Sequence, residues 1–126
     1  MIARTLLVAA GGALGTALRL ALELLLPEPG GFPLAVFAAN VLGSFAIGMV
    51  MGRMPQATGI RFFLAPGVLG GFTTYSAFAV GTLELWRDVP ALAAGYAAAS
   101  LVLGVAACVL GLRLATPRDA RGRRAR

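Results

Sequence analysis

Long stretches without any charged residue are the feature that most limits the folds open to this chain. Three such runs extend from Pro29 to Gly52, from Phe62 to Leu83 and from Val89 to Leu112. Each matches the roughly 20 residues that an α-helix needs to cross a hydrocarbon core of about 30 Å. Apolar residues make up 59% of the 126 residues and charged residues only 13%, which is unlike a soluble domain. The sequence therefore predicts an all-α integral membrane protein.

A fourth apolar stretch, from about Thr5 to Leu26, carries Arg19 and Glu23 toward its far end. A cleaved signal peptide with Arg4 as its basic start is the alternative for this stretch. It is disfavoured because Arg19 and Glu23 lie where a cleavage site requires small, neutral residues. We therefore predict four transmembrane helices in a single domain spanning residues 1–115, at about residues 5–26, 32–52, 62–83 and 90–113.

Arginine residues are distributed unevenly between the two sides of these four helices. With an even number of spans both termini share a side, and that side collects Arg4, Arg53, Arg61, Arg113 and the arginine-rich tail at 116–126. The opposite side has Arg87. The positive-inside rule then predicts a multi-pass protein of the cell membrane with both termini in the cytoplasm. The tail is predicted to be disordered, either touching anionic lipid or solvated with only a topological role.

The net charge of +6 does not indicate nucleic-acid binding, since the chain lacks a soluble fold and interleaved basic and aromatic residues. The chain has one cysteine, Cys108, and no histidine, so neither a disulfide within the chain nor a His/Cys metal cluster is expected. Nothing in the sequence resembles a nucleophile with its base, so an enzyme is not expected either.

The third apolar run is interrupted at its middle by residues that break helices. Pro66 removes a backbone donor, and the pairs Gly70-Gly71 and Thr73-Thr74 permit a local unwinding. A bilayer core offers no water to satisfy freed backbone groups, so such a break survives only where it lines a cavity, binds an ion or packs on protein. Exposed carbonyls suit a hard cation such as Na⁺. We therefore predict a third helix broken near its centre, at the functional site.

Polar side chains in the spans need partners, because an unpaired polar group in hydrocarbon costs several kcal/mol. Serine and threonine can bond to their own helix, but one helix cannot satisfy the amide of Asn40, which favours a pore or interface role. Arg19 must face inward, or else pair with Glu23 at i+4. The rings of Tyr75 and Phe78 either face an anion with their partially positive edges or take part only in ordinary aromatic packing. The remaining polar candidates are Ser44, Thr73, Thr74, Ser76, Tyr96 and Ser100.

Glycines four residues apart are mostly packing devices in membrane helices, because they let two backbones approach closely. The sequence places Gly11 with Gly15, and Gly48 with Gly52, at this spacing, and Gly104 follows Ser100 in the same way. Glycine stripes of this kind do not by themselves indicate a channel.

Three segments together closely resemble the CrcB/Fluc fluoride channel family. They are Gly11 to Arg19, Ala39 to Phe45 and Gly67 to Phe78, in this order within a four-span chain of this length. The match covers the first three spans, and the fourth agrees through Tyr96, Ser100 and Gly104.

The resemblance implies a dimer of antiparallel subunits that encloses two narrow pores for fluoride and excludes chloride. It implies a structural Na⁺ at the dimer centre, held by the backbone carbonyls of Gly70 and Thr73. It further implies that fluoride passes Asn40, Tyr75, Phe78, Tyr96 and Ser100, with Arg19, Ser44, Thr74 and Ser76 as supporting residues. The role implied is passive export that protects the cell from fluoride.

Three features depart from the usual pattern of that family. Tyr75 stands where phenylalanine is usual, and Gly81 stands where some members carry glutamate. An antiparallel homodimer also requires insertion in both orientations, which normally goes with little arginine bias. Because this chain is strongly biased, pairing with an oppositely oriented paralogue is an alternative to the homodimer.

Two other classes of membrane protein compete with the channel interpretation. A four-helix multidrug exporter coupled to protons needs a carboxylate in the middle of its first span, whereas Glu23 lies near the end. A structural subunit without transport would use the polar residues only to join helices. Replacing Asn40 or Phe78 separates these classes, since a scaffold tolerates changes that preserve folding and a channel loses anion flux.

Overall fold

A computed structural model describes residues 1–54 and 58–116 of the chain. The tail prediction concerns residues that, apart from Thr116, lie outside these ranges. Within them the chain is almost entirely helical, and four helical segments are long and apolar enough to cross a membrane. The predicted fold class is confirmed in this respect.

In chain order the helices are α1 (Ile2–Leu25), a 3₁₀ turn (Pro29–Gly31), α2 (Leu34–Arg53), α3 (Gly59–Phe62), a π-helical segment (Phe63–Leu69), α4 (Gly70–Phe72), α5 (Tyr75–Asp88) and α6 (Pro90–Ala115).

The third span, Gly59–Asp88, comprises α3, the π-helical segment, α4 and α5. It is longer than the charge-free run that predicts it, because Glu84 and Arg87 continue the helix beyond the apolar residues. Arginine and glutamate are good helix formers, so the end of an apolar run need not be the end of a helix. At α2 the helix starts later than the charge-free run that predicts it. The run begins at Pro29, but the helix begins at Leu34, after a turn in which Gly30 and Gly31 adopt φ values of 62° and 75°.

The break in the third span is located at Thr73 and Thr74. Both residues have extended backbone, with φ and ψ of −80° and 149° at Thr73 and −147° and 122° at Thr74. Gly70 keeps helical angles of −65° and −33°, so the unwinding is narrower than the sequence predicts. Pro66 lies in the π-helical segment seven residues before Thr73, where its missing N–H loosens the helix. The span as a whole bends by about 17°.

Glycines bring the helices into close contact in two pairs, α1 against the first half of the third span and α2 along α6. A Cβ atom at Gly11 or Gly15 would overlap backbone atoms of the π-helical segment, and one at Gly48 would overlap the Cys108 carbonyl oxygen. The packing interpretation of these glycines is therefore confirmed. Gly104 differs, since a Cβ there would meet only Ser44 Oγ, at 3.5 Å.

Candidate functional site

A cavity of about 310 Å³ lies between α2, the break and α6. Its walls contain eight of the residues that the sequence singled out, drawn from three spans: Asn40, Ser44, Gly70, Thr73, Thr74, Tyr75, Phe78 and Ser100. The fold thus brings together residues that are up to 60 positions apart in the chain, as Asn40 and Ser100 are.

Unwinding at Thr73 and Thr74 removes the helical N–H partner from the carbonyls of residues 70–73. Gly71 O accepts from Thr16 Oγ1 over 3.4 Å instead, and Gly70 O and Thr73 O are the two that the sequence singled out. In a regular helix Gly70 O would accept from the Thr74 N–H, but that group donates to Asn40 Oδ1 over 2.8 Å. Thr73 O would accept from the Ala77 N–H, but that group donates to Thr74 Oγ1 over 3.2 Å. Carbonyl oxygens released in this way are of the kind that a hard cation takes as ligands, and Gly70 and Thr73 are the residues to which the family resemblance assigns a Na⁺.

The hydroxyl groups around the break are engaged in local hydrogen bonds. Thr73 Oγ1 donates to Leu69 O over 2.8 Å, which is the return bond to its own helix expected of a threonine. Thr74 caps the N-terminus of α5 through the Ala77 bond, and its Oγ1 lies 3.1 Å from Ser76 Oγ. These hydroxyls stabilise the two helix ends that meet at the break.

Two hydroxyls on α6 are buried and have no hydrogen bond to any other element among the described residues. Tyr96 is 2% exposed and Ser100 is 9% exposed. By hydrogen-bond geometry neither the Tyr96 Oη nor the Ser100 Oγ has a partner among the described residues, although the two hydroxyls lie close enough to interact with each other. The two residues lie one helical turn apart, so the hydroxyls form a short polar row beside the cavity. A buried hydroxyl without a partner costs about 1–3 kcal/mol, and such groups mark sites that meet another polar species.

Aromatic rings connect the break to this polar row. The ring centroids of Tyr75 and Phe78 are 5.9 Å apart, and Phe78 stacks on Tyr96 with centroids 5.5 Å apart and planes inclined by 29°. Tyr75 is 82% exposed on the surface of the single chain. Tyr96 itself does not line the cavity; it lies behind Phe78, which separates the two.

Phe32 and Phe37 complete this cluster and were not singled out from the sequence. Phe32 meets the Tyr96 ring edge to face with centroids 5.5 Å apart, and Phe37 lies 6.2 Å from it. Both residues fix the orientation of the Tyr96 ring. No sequence signal distinguishes them, because a phenylalanine in an apolar span is equally at home against lipid.

Arg19 and Ser76 lie away from the cavity. Arg19 forms an ion pair with Glu23 at 2.5 Å, which is the i+4 pairing considered for it from the sequence. Ser76 is exposed and reaches the site only through Thr74. Gly81 faces Pro33: a Cβ there would lie 2.8 Å from Pro33 Cγ, so this position has no room for the glutamate of other family members.

Residues 6–112 match a family model described as CrcB-like protein, Camphor Resistance (CrcB). A protein of Paracoccus denitrificans named fluoride-specific ion channel FluC is 43% identical over 109 residues, which are 83% of this chain and 88% of the relative. A protein of the same name from Hyphomonas neptunium is 43% identical over 118 residues, 87% of this chain and 93% of the relative. A third, from Methanopyrus kandleri, is 39% identical over 112 residues, 86% of each chain. By the extent of these matches, this chain belongs to the CrcB-like family.

Proposed function

We propose that this chain forms a fluoride-selective ion channel through which fluoride leaves the cell passively, protecting it from fluoride toxicity. The observation that carries the proposal is the pair of buried hydroxyls of Tyr96 and Ser100, which have no hydrogen-bond partner elsewhere in the described residues, beside a cavity lined by Asn40 and Phe78. The names of the relatives from Paracoccus denitrificans and Hyphomonas neptunium support the choice of ion.

The donors suit a small, strongly hydrated anion. Fluoride is the smallest halide and the strongest hydrogen-bond acceptor among them, so it loses most when it sheds water. In the cavity, the hydroxyl of Ser100 and the second N–H of Asn40 replace part of that hydration, and the ring edge of Phe78 adds partial positive charge. The Tyr96 hydroxyl lies outside the cavity and would meet fluoride at a separate position along the pore. Chloride is larger and accepts weaker hydrogen bonds, so the same donors compensate its dehydration less well. Conduction further requires that no single site bind too tightly.

The pore is completed by a second subunit in antiparallel orientation, either a copy of this chain or an oppositely oriented paralogue. Gly70 O and Thr73 O are two ligands, and two are too few for the coordination shell of a hard cation. A second subunit that contributes the same pair would hold a structural Na⁺ at the interface. The Na⁺ would fix the two breaks relative to each other, and no step of fluoride transfer need pass through it.

The proton-coupled exporter lacks support from the site. The acid of α1 is Glu23, and it is paired with Arg19 instead of standing free at mid-span. In a structural subunit without transport, buried hydroxyls that have no hydrogen-bond partner elsewhere in the described residues would lower stability and serve no function.

The test is fluoride efflux from liposomes that contain the purified chain, read with a fluoride electrode beside a matched chloride experiment. Rapid fluoride loss with negligible chloride loss is the expected result. Equal loss of both ions would contradict selectivity. If the folded chain alone carries neither ion, reconstitution with a paralogous subunit repeats the test, and absence of flux there would reject the channel.

A further inference from the structure

The side-chain amide of Asn40 is bonded to both backbone groups of a single residue in the break. Asn40 Oδ1 accepts from the Thr74 N–H over 2.8 Å, and Asn40 Nδ2 donates to Thr74 O over 3.1 Å. The two residues are on different spans and 34 positions apart. A primary amide carries the same acceptor and donor as a peptide group. The side chain of Asn40 on α2 therefore forms with Thr74 the two hydrogen bonds that a backbone peptide group could form.

This pairing determines which backbone groups at the break are free. An unpaired N–H in a bilayer core is costly, so an unwound residue there needs a hydrogen-bond partner from outside its own helix. Asn40 provides that partner for Thr74, and Thr74 Oγ1 provides one for Ala77. With both N–H groups bonded elsewhere, the carbonyls of Gly70 and Thr73 have lost their helical donors.

We propose that Asn40 is a positioning residue: its amide fixes the unwound backbone at Thr74, which takes the Thr74 N–H away from Gly70 O and places Thr74 Oγ1 where it takes the Ala77 N–H away from Thr73 O. Both carbonyls are thereby left free to face a cation. The part that concerns the cation rests on the proposed function. One N–H of Asn40 remains beyond the bond to Thr74 O, so holding the break is compatible with a contact to an ion in the cavity.

Ser44 provides the matched control for this role. It lies one turn after Asn40 on α2 and lines the same cavity, but it makes no hydrogen bond to the break within the described residues. A change at Ser44 therefore alters the cavity wall without touching the backbone of Thr74.

The experiment is backbone hydrogen exchange, followed by mass spectrometry on peptides covering residues 70–80 of the full-length protein in detergent. We expect Asn40→Ala to speed exchange at the Thr74 and Ala77 amides by about tenfold or more, as loss of a buried hydrogen bond permits. Ser44→Ala is expected to leave exchange at the wild-type rate. Unchanged or slower exchange in Asn40→Ala would overturn the proposal, even if fluoride flux is lost, because Asn40 would then act only on the ion.

Asn40→Asp serves where Asn40→Ala does not fold. It keeps the size and the acceptor for the Thr74 N–H and removes the donor. Exchange at Thr74 should therefore stay slow in Asn40→Asp, and fast exchange there would equally overturn the proposal. Fluoride efflux of the wild-type chain is measured in parallel. A wild type that conducts no fluoride, alone or with a paralogous subunit, but shows the expected exchange pattern would reject the channel and retain the role of Asn40.

Discussion

Five hydroxyl-bearing residues of the third and fourth spans divide into those with a hydrogen bond to nearby backbone and those without one in the described residues. Thr73, Thr74 and Thr82 bond to backbone groups close to them in sequence, at distances between 2.7 and 3.2 Å. Tyr96 and Ser100 have no such partner within the described part of the chain. The first group stabilises helix ends and turns. The hydroxyls of the second group can still donate hydrogen bonds, and we propose that they donate them to the ion.

This division predicts opposite effects on stability and transport for Ser100→Ala. Removing a buried hydroxyl that has no partner should leave the free energy of unfolding unchanged or raise it by up to about 1–3 kcal/mol. Fluoride flux should fall about ten- to a hundredfold, since a hydrogen bond to a charged group contributes about 1.5–3 kcal/mol. Thermal midpoints in detergent and liposome efflux measure the two effects.

Thr82→Ala is the control for Ser100→Ala, because Thr82 Oγ1 donates to Phe78 O over 2.7 Å within its own helix. Its removal should change flux by less than about threefold, as is usual for a locally bonded hydroxyl away from a site. Wild-type flux in Ser100→Ala would show that this hydroxyl plays no part in conduction.

The glycines of α1 allow this helix to pack closely against the third span and so fix the position of that span. Gly11 faces the Phe63 carbonyl oxygen and Gly15 faces that of Val68, so the backbone of α1 lies directly on the π-helical segment. The break at Thr73 and Thr74 follows immediately after this contact. Its position therefore depends on how closely α1 approaches.

Gly15→Ala tests this dependence, because its Cβ would overlap the Val68 carbonyl oxygen. Overpacking of this kind costs about 1–3 kcal/mol or more, and the displaced span should also reduce fluoride flux. Gly95→Ala is the matched change on α6, where nothing lies within 4 Å of the added Cβ. It should stabilise the helix by about 0.5–1 kcal/mol with flux retained. Thermal midpoints and efflux compare the two, and equal effects would contradict the role of close packing.

The whole molecule has a strong separation of charge between its two ends. Arg4 contacts the ring of Phe62 and Arg61 bonds to Met54 O, which brings the basic residues of α1 and the third span to one end. Arg53 and Arg113 lie in the last turns of α2 and α6, at that same end. The acids of the described residues are at the opposite end, namely Glu23, Glu28, Glu84 and Asp88.

This separation predicts that the chain inserts in one orientation, with both termini cytoplasmic. Expression of the chain alone with reporter tags on both faces measures the orientation. A single orientation would require an oppositely inserted paralogue for an antiparallel dimer. Insertion in both orientations, together with a functional homodimer, would reject the paralogue pairing.

The sequence determined which segments enter the membrane and where the third span is weak. Apolar runs set the number of spans because the hydrocarbon core is thick and excludes charge, a constraint that acts on each segment by itself. Pro66, the glycine pair and the threonine pair likewise predicted a break from local backbone preferences. These are properties of neighbouring residues, so one sequence suffices to read them.

The tertiary structure decided what the sequence left open. The unwinding is limited to Thr73 and Thr74 because Asn40, 34 residues away, bonds to Thr74 there. Arg19 forms an ion pair with Glu23, while the hydroxyls of Tyr96 and Ser100 find no hydrogen-bond partner elsewhere in the part of the chain that the structure describes. Such outcomes depend on which helices meet and at what height. A hydrogen bond between two spans requires both helices to be placed to within a fraction of an ångström, and local residue preferences contain no information on that placement.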